Sequence, residues 1–176
     1  MNLKESLTSI FLVLIIVMHT SAQDLEAENF QNNKDIEKAI STNLDAWHKA
    51  AAEANFSTYF NLMTTNAVFI GTDASEHWGV KAFKAFSKPH FDSGKAWTFT
   101  ALERHIYIDD DKIAWFDELL KTQMGVCRGS GILKYQEGTW KIAQYVLSAT
   151  IPNDKMSAVT TLKAEADSKI VKAFIP

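Results

Sequence analysis

The feature that most constrains this chain is a succession of β-forming segments with almost nothing between them. Trp97 to Ile108 is rich in aromatic and β-branched residues, and Asp109-Asp110-Asp111 makes a turn. Ile113 to Lys121 reads as the next strand and Gly125 to Tyr135 as the third. Gln136-Glu137-Gly138 is another turn, and Thr139 to Thr150 is the fourth strand. Strands joined by such short turns pair antiparallel, because a parallel pair needs a long crossover. Pro152 and Asn153 stop the run.

The residues before it have a helical period. Ile36, Ile40, Leu44, Trp47 and Ala51 recur in steps of three and four, marking one buried face. The opposite face carries Glu37, Lys38, Asp45, His48 and Lys49, which predicts a solvent-exposed His48. Asn55 or Ser57 can cap a short second helix through Met63, and Ala67 to Ile70 reads as a short extended link. Gly71 to Gly79 is turn chemistry, with Asp73 and Ser75 both able to cap a following helix. That helix buries Val80, Phe83 and Phe86, and Pro89 should end or kink it. After the strands, Val159, Leu162, Ala166 and Ile170 again have helical spacing, in a tail that either packs on the body or extends from it.

Helices followed by a meander make an α+β layout. A strongly bent antiparallel sheet folded over the first long helix buries both apolar faces and leaves a pocket between them.

At the N-terminus, Lys4 precedes an apolar run from Ile10 to Met18. It is too short to span a bilayer, which takes about 20 residues. With Ser21 and Ala22 after it, the run reads as a signal peptide cleaved near Ala22 or Gln23, placing the mature protein outside the cell or in the periplasm. No cysteine lies there to carry a lipid anchor. The expected organisation is a leader over 1–23, a loose polar segment over 24–34, one domain over 35–154 and a helical tail over 155–176. About 150 residues remain after the leader, the usual size of one domain.

A net charge of −3 with scattered Lys and Arg gives neither the basic stripe of a nucleic-acid binder nor a polybasic membrane patch. The single cysteine, Cys127, excludes an intramolecular disulfide and reads as a small buried hydrophobe. Asn55-Phe56-Ser57 fits a glycosylation acceptor.

Several stretches together resemble one family: Asp45-Ala-Trp-His-Lys-Ala-Ala-Ala-Glu-Ala-Asn-Phe56, Ala67-Val-Phe-Ile-Gly-Thr-Asp-Ala-Ser-Glu76, Trp115-Phe-Asp-Glu118, Arg128-Gly-Ser-Gly131 and Trp140-Lys-Ile142. In this order they are similar to the SnoaL-like branch of the NTF2-like superfamily, over roughly Ile36 to Asp154. The resemblance implies a cystatin-like α+β cone whose curved sheet and helices enclose a pocket, often in a dimer. Its relatives include isomerases, cyclases, dehydratases and pure binding domains, so function has to be argued from the site.

Strand alternation sorts the candidate site residues. If Ile113–Lys121 and Gly125–Leu133 pair through a turn at Thr122 to Met124, Glu118 lies near Arg128, with Phe116 and Ser130 on the same face. Trp115, Asp117, Cys127, Gly129 and Gly131 then share the other face, where the glycines leave a trough for a helix or a ligand. Arg104 falls with Glu118, and Glu103 and His105 fall with Asp117. A slip of one residue would break this sorting.

Two constellations follow. Arg104, Glu118, Arg128 and Ser130 could bind an anionic or carbonyl-bearing molecule through Arg128, or form an ordinary cross-strand salt bridge. His105 beside Asp117 could serve as a general base, or be a hydrogen-bonded histidine without catalytic duty. Trp115 and Asp73 join the ligand-binding candidates. Asp73 and His77 lie four apart, but no third ligand is evident, and neither metal nor cofactor is predicted. Trp47, Tyr59, Phe69, Trp78, Phe83, Trp97, Trp115 and Trp140 divide between core and pocket in a way the sequence does not reveal.

Phosphate-loop, nucleophile-elbow and zinc-protease motifs are missing, which argues against phosphoryl transfer, serine hydrolysis and zinc chemistry. Three readings remain: an exported small-molecule pocket protein, a cofactor-independent isomerase, cyclase or dehydratase using His105 or Asp117 as base, and a homodimeric interaction module.

Overall fold

The computed structural model describes residues 31–175; the expected leader, its cleavage site and residues 24–30 lie outside them. The chain divides into two units, Met1–Ala39 and Ile40–Pro176. In the first, residues 31–39 are helical, including 31–34 of the segment expected to be loose.

The second unit begins with α1, residues 40–52. Ile40, Leu44, Trp47 and Ala51 are all 0% exposed, as their spacing requires. The buried stripe is wider than those four, however, and takes in Ala50 and His48. Asn55 caps α2 (Phe56–Asn61), its side-chain oxygen accepting from the Thr58 N–H at 3.0 Å. The helix stops before Met63 because β1 starts there and runs to Ile70, longer than the expected link.

A six-stranded curled sheet follows, in the order β2-β1-β6-β5-β4-β3. The meander is β3 (Thr100–Ile108), β4 (Ile113–Thr122), β5 (Gly125–Gln136) and β6 (Thr139–Ala149). The sheet is mixed rather than purely antiparallel, because β1 pairs parallel with β6, Phe69 opposite Tyr145. β2 (His77–Gly79) pairs antiparallel with β1 and closes that edge. It also removes Asp73 and Ser75 from the helix start. α3 (Val80–Asp92) begins after Gly79 with no side-chain cap, and Asp73 instead accepts from the Ser75 N–H at 2.9 Å and hydroxyl at 2.6 Å. Phe83, Ser87 and Phe91 form the buried face of α3, whereas Phe86 is 42% exposed. Pro89 sits within the helix, which ends three residues later.

The β4–β5 register corrects the expected faces. Thr122 pairs with Gly125, so the loop is two residues, Gln123-Met124, instead of three. Gly125, at φ +90°, supplies the left-handed backbone conformation that the tight return needs. One residue fewer in the loop reverses which residues of β5 face inward. Glu118 stands opposite Gly129, and Arg128 and Ser130 move to the face of Trp115 and Asp117. Cys127 and Gly129 join Phe116 and Glu118 in the buried interior.

The expected glycine trough is closed by its own neighbours. A Cβ on Gly129 would lie 2.2 Å from the Tyr145 hydroxyl, and one on Gly131 2.3 Å from the Gln144 carbonyl oxygen and 2.9 Å from the Phe116 ring, so neighbouring strand atoms and side chains fill it. A 3₁₀ turn, Asn153–Lys155, leads into α4 (Met156–Phe174), which buries no residue. Only Val159 and Asp167 of this helix are even half-buried.

Candidate functional site

Glu118 lies at the centre of β4 on its inward face and is 0% exposed. An isolated carboxylate there would be prohibitively costly. It is instead surrounded by donors. Arg104, directly opposite on β3, reaches Oε2 through Nε at 3.0 Å and Nη2 at 2.8 Å. His48 Nε2 lies 2.7 Å from Oε1, and against a carboxylate that nitrogen carries the hydrogen. The Tyr145 hydroxyl donates to Oε1 at 3.2 Å.

Arg104 Nη1 continues to the Ser41 carbonyl at 3.2 Å, the Ser41 hydroxyl at 2.9 Å and Asp45 Oδ1 at 2.8 Å. Burial pushes the Glu118 carboxyl upward, but the His48 hydrogen bond and the His48 and Arg104 charges outweigh it and hold the pKa below the usual carboxylate range. Burial, with the Glu118 charge second, pushes the Tyr145 hydroxyl well above its ordinary value. The interior thus holds an ionised glutamate and a protonated tyrosine. This knot ties α1 to β3, β4 and β6. Asn43 on the same helix adds bonds to the Trp140 carbonyl at 2.8 Å and the Thr139 hydroxyl at 3.0 Å.

Beside the knot is a cavity of about 160 Å³. The β1–β2 hairpin, α3, the link before β3, the β4–β5 loop and β6 line it, and no residue of α1 does, so it is not the space expected between the first helix and the sheet. Six aromatic residues line it: Phe69, Trp78, Phe83, Phe86, Trp97 and Phe99. Several of these rings are nearly parallel. Phe69 stacks on Phe83 at 4.1 Å and 16°, Trp78 on Phe86 at 4.3 Å and 23°, and Phe83 lies 6.0 Å and 27° from Trp97. Met124 and Leu147 add apolar surface, while Thr72, Gln123 and Glu76 supply the polar side chains. The Phe99 ring also lies 5.7 Å from the His48 ring, so the ionic knot sits behind that wall.

Residues 40–152 match the family model of the SnoaL-like domain. The chain belongs to the SnoaL-like family.

No curated protein matches it in sequence. Solved structures share its fold at low identity. A cystatin-like domain of unknown function from Nostoc punctiforme aligns with a TM-score of 0.61 at 14% identity, covering 80% of this chain and 94% of that one. An NTF2-like protein of unknown function from Pseudomonas putida aligns at 0.58 and 12%, covering 70% and 92%. A candidate scytalone dehydratase from Novosphingobium aromaticivorans aligns at 0.60 and 11%, covering 69% and 88%.

Within the SnoaL-like domain, the remaining site candidates fall mostly on the outer face of the sheet. His105 pairs with Asp117 as expected, with Nδ1 3.4 Å from Oδ1, and its Nε2 lies 3.5 Å from Glu103. The Tyr107 hydroxyl donates to Asp117 at 3.2 Å, and the Tyr107 ring stacks on Trp115 at 5.7 Å. Trp115 is 45% exposed. Arg128 is exposed opposite Leu119, and Ser130 stands half-buried opposite Asp117. Asp73 is exposed in the β1–β2 loop. None of these residues, nor Glu118, lines the aromatic cavity.

Sequence reasoning missed His48 and Glu76. His48 follows Trp47 by a single helical step, a position the narrow apolar stripe assigned to solvent. Glu76 lies in a loop with no periodicity to place it. The cavity aromatics had a signal, their crowding between Phe69 and Phe99, but which of them share a space depends on contacts distant in sequence. Among the described residues no group of three His, Cys, Asp or Glu could hold a metal ion, and no helix is long and apolar enough to cross a membrane.

Proposed function

We propose that this SnoaL-like protein is a small-molecule binding protein whose ligand enters the cavity lined by Trp78, Phe83 and Trp97. The cavity itself carries the reading: six aromatic residues surround a space of about 160 Å³. A dry apolar cavity of about 150 Å³ is known to hold benzene, so the volume suits one ring or a comparably compact group. The catalytic candidates His105 and Asp117 lie outside it, which favours binding over chemistry.

Trp78 and Trp97 report on occupancy. Titration with compact apolar molecules is expected to change tryptophan emission saturably and raise the melting temperature. Phe83→Ala should weaken binding by about tenfold or more through lost contact area. Unchanged emission across a broad ligand set would overturn the reading.

The His105–Asp117 contact supports a second reading, a cofactor-independent enzyme with His105 as base. A folded His105→Ala variant that retains turnover on an identified substrate would remove it. Export, which the apolar run Ile10–Met18 favours, is checked by the N-terminal residue of the mature protein. Tyr107, Trp115 and Ile132 on the outer sheet face favour a homodimer, checked by light scattering.

A further inference from the structure

The charges around the aromatic cavity are one-sided. Glu76 is its single charged lining residue, and no Lys, Arg or His lines it. We propose that the ligand is a compact organic monocation, a methylated ammonium or a protonated amine, held between ring surfaces and the Glu76 carboxylate. This rests on the cavity being the binding site.

Two independent features favour a cation. Aromatic rings carry negative charge on their faces, and a cation within about 6 Å of a ring centroid is attracted, most strongly by tryptophan. Trp78 and Trp97 both line this cavity alongside four phenylalanines. The second feature is the built position of the carboxylate. Glu76 Oε2 accepts from the Asp73 N–H at 3.1 Å, the Glu76 N–H donates to the Asp73 carbonyl at 2.9 Å, and the Gly71 N–H donates to the Glu76 carbonyl at 2.9 Å. A Cβ on Gly71 would lie 2.1 Å from Oε2, so glycine there lets the side chain fold back against the loop. No described residue donates to Oε1.

The alternatives fit less well. An anion would meet the carboxylate with no positive group in the lining to offset it. A neutral apolar ligand would dehydrate the carboxylate without replacing its solvation. A monocation meets both demands, and its alkyl groups lie against the aromatic lining.

The test compares charge at constant shape on the full mature chain. Choline is titrated against its neutral carbon isostere 3,3-dimethylbutan-1-ol, and benzylammonium against benzoate, all read by calorimetry and tryptophan emission. Each cation is expected to bind about tenfold tighter than its counterpart. Glu76→Gln, which keeps an oxygen for the Asp73 N–H, should erase most of that difference while the melting temperature is preserved. Gly71→Ala, which displaces the carboxylate, should reduce it in the same direction. If the neutral isostere or benzoate binds as tightly as its cation, the inference is overturned while the binding function stands. If Glu76→Gln leaves the preference intact, the carboxylate has no part in it and the inference again falls. If none of the four compounds binds, the inference fails, and neutral apolar ligands then decide whether the binding function survives it.

Discussion

At the scale of single residues, Glu118 ties the most of the molecule together. Its folded pKa is lowered, so the unfolded chain binds the proton more tightly and stability rises with pH through this window. The contribution is complete above the unfolded value of about 4.3 and is lost as pH falls through the folded value. Glu118→Gln should therefore flatten the acid side of the stability curve, which urea midpoints between about pH 3 and 6 measure. Arg104→Met leaves the carboxylate buried with too few donors, and should cost about 3–5 kcal/mol in the same assay near neutral pH. The pairings Arg104–Glu118 and His105–Asp117 were legible in the sequence, because both follow from the single Asp109–Asp111 turn. His48 was not: assigning it to solvent took the helix stripe as four residues wide, and the partner that draws it inward lies 70 positions away.

At the scale of elements, the turns of the meander could be read closely, since alternation and turn residues are local signals, although β3 begins at Thr100 and not at Trp97. β1 and β2 could not. Thr64-Thr65-Asn66 interrupts the apolar pattern, and the parallel pairing with β6 has a register shift between Met63 and Val68. The Gln123-Met124 loop shows how small a misreading matters: every β5 side chain assigned through a three-residue turn changed face. Gly125→Ala should cost roughly 1 kcal/mol, the penalty of a side chain at positive φ, seen as a lower denaturant midpoint. α4 has 19 residues, none buried, so it lacks the packed apolar face that gives most protein helices their stability. Its amides are expected to exchange with deuterium far faster than those of α1, and truncation after Lys155 should leave the melting temperature nearly unchanged.

At the scale of the whole molecule, the α+β fold and its family were both legible, because the ordered motifs span most of the matched region. The cavity was not. Its walls come from five separate parts of the chain, and no local pattern marks them as neighbours. The core alone holds this assembly, since one cysteine, itself 0% exposed, cannot make an internal bridge. Reducing agent should leave the melting curve unmoved, and a thiol reagent should label Cys127 only as the protein unfolds.

The Gln123-Met124 loop both sets which side of β5 looks inward and forms part of the cavity wall. Anyone redesigning the entrance inherits an even-number rule there. A single inserted residue would turn the strand inside out, two would preserve its facing, and exchanging Met124 for another side chain leaves the arithmetic untouched.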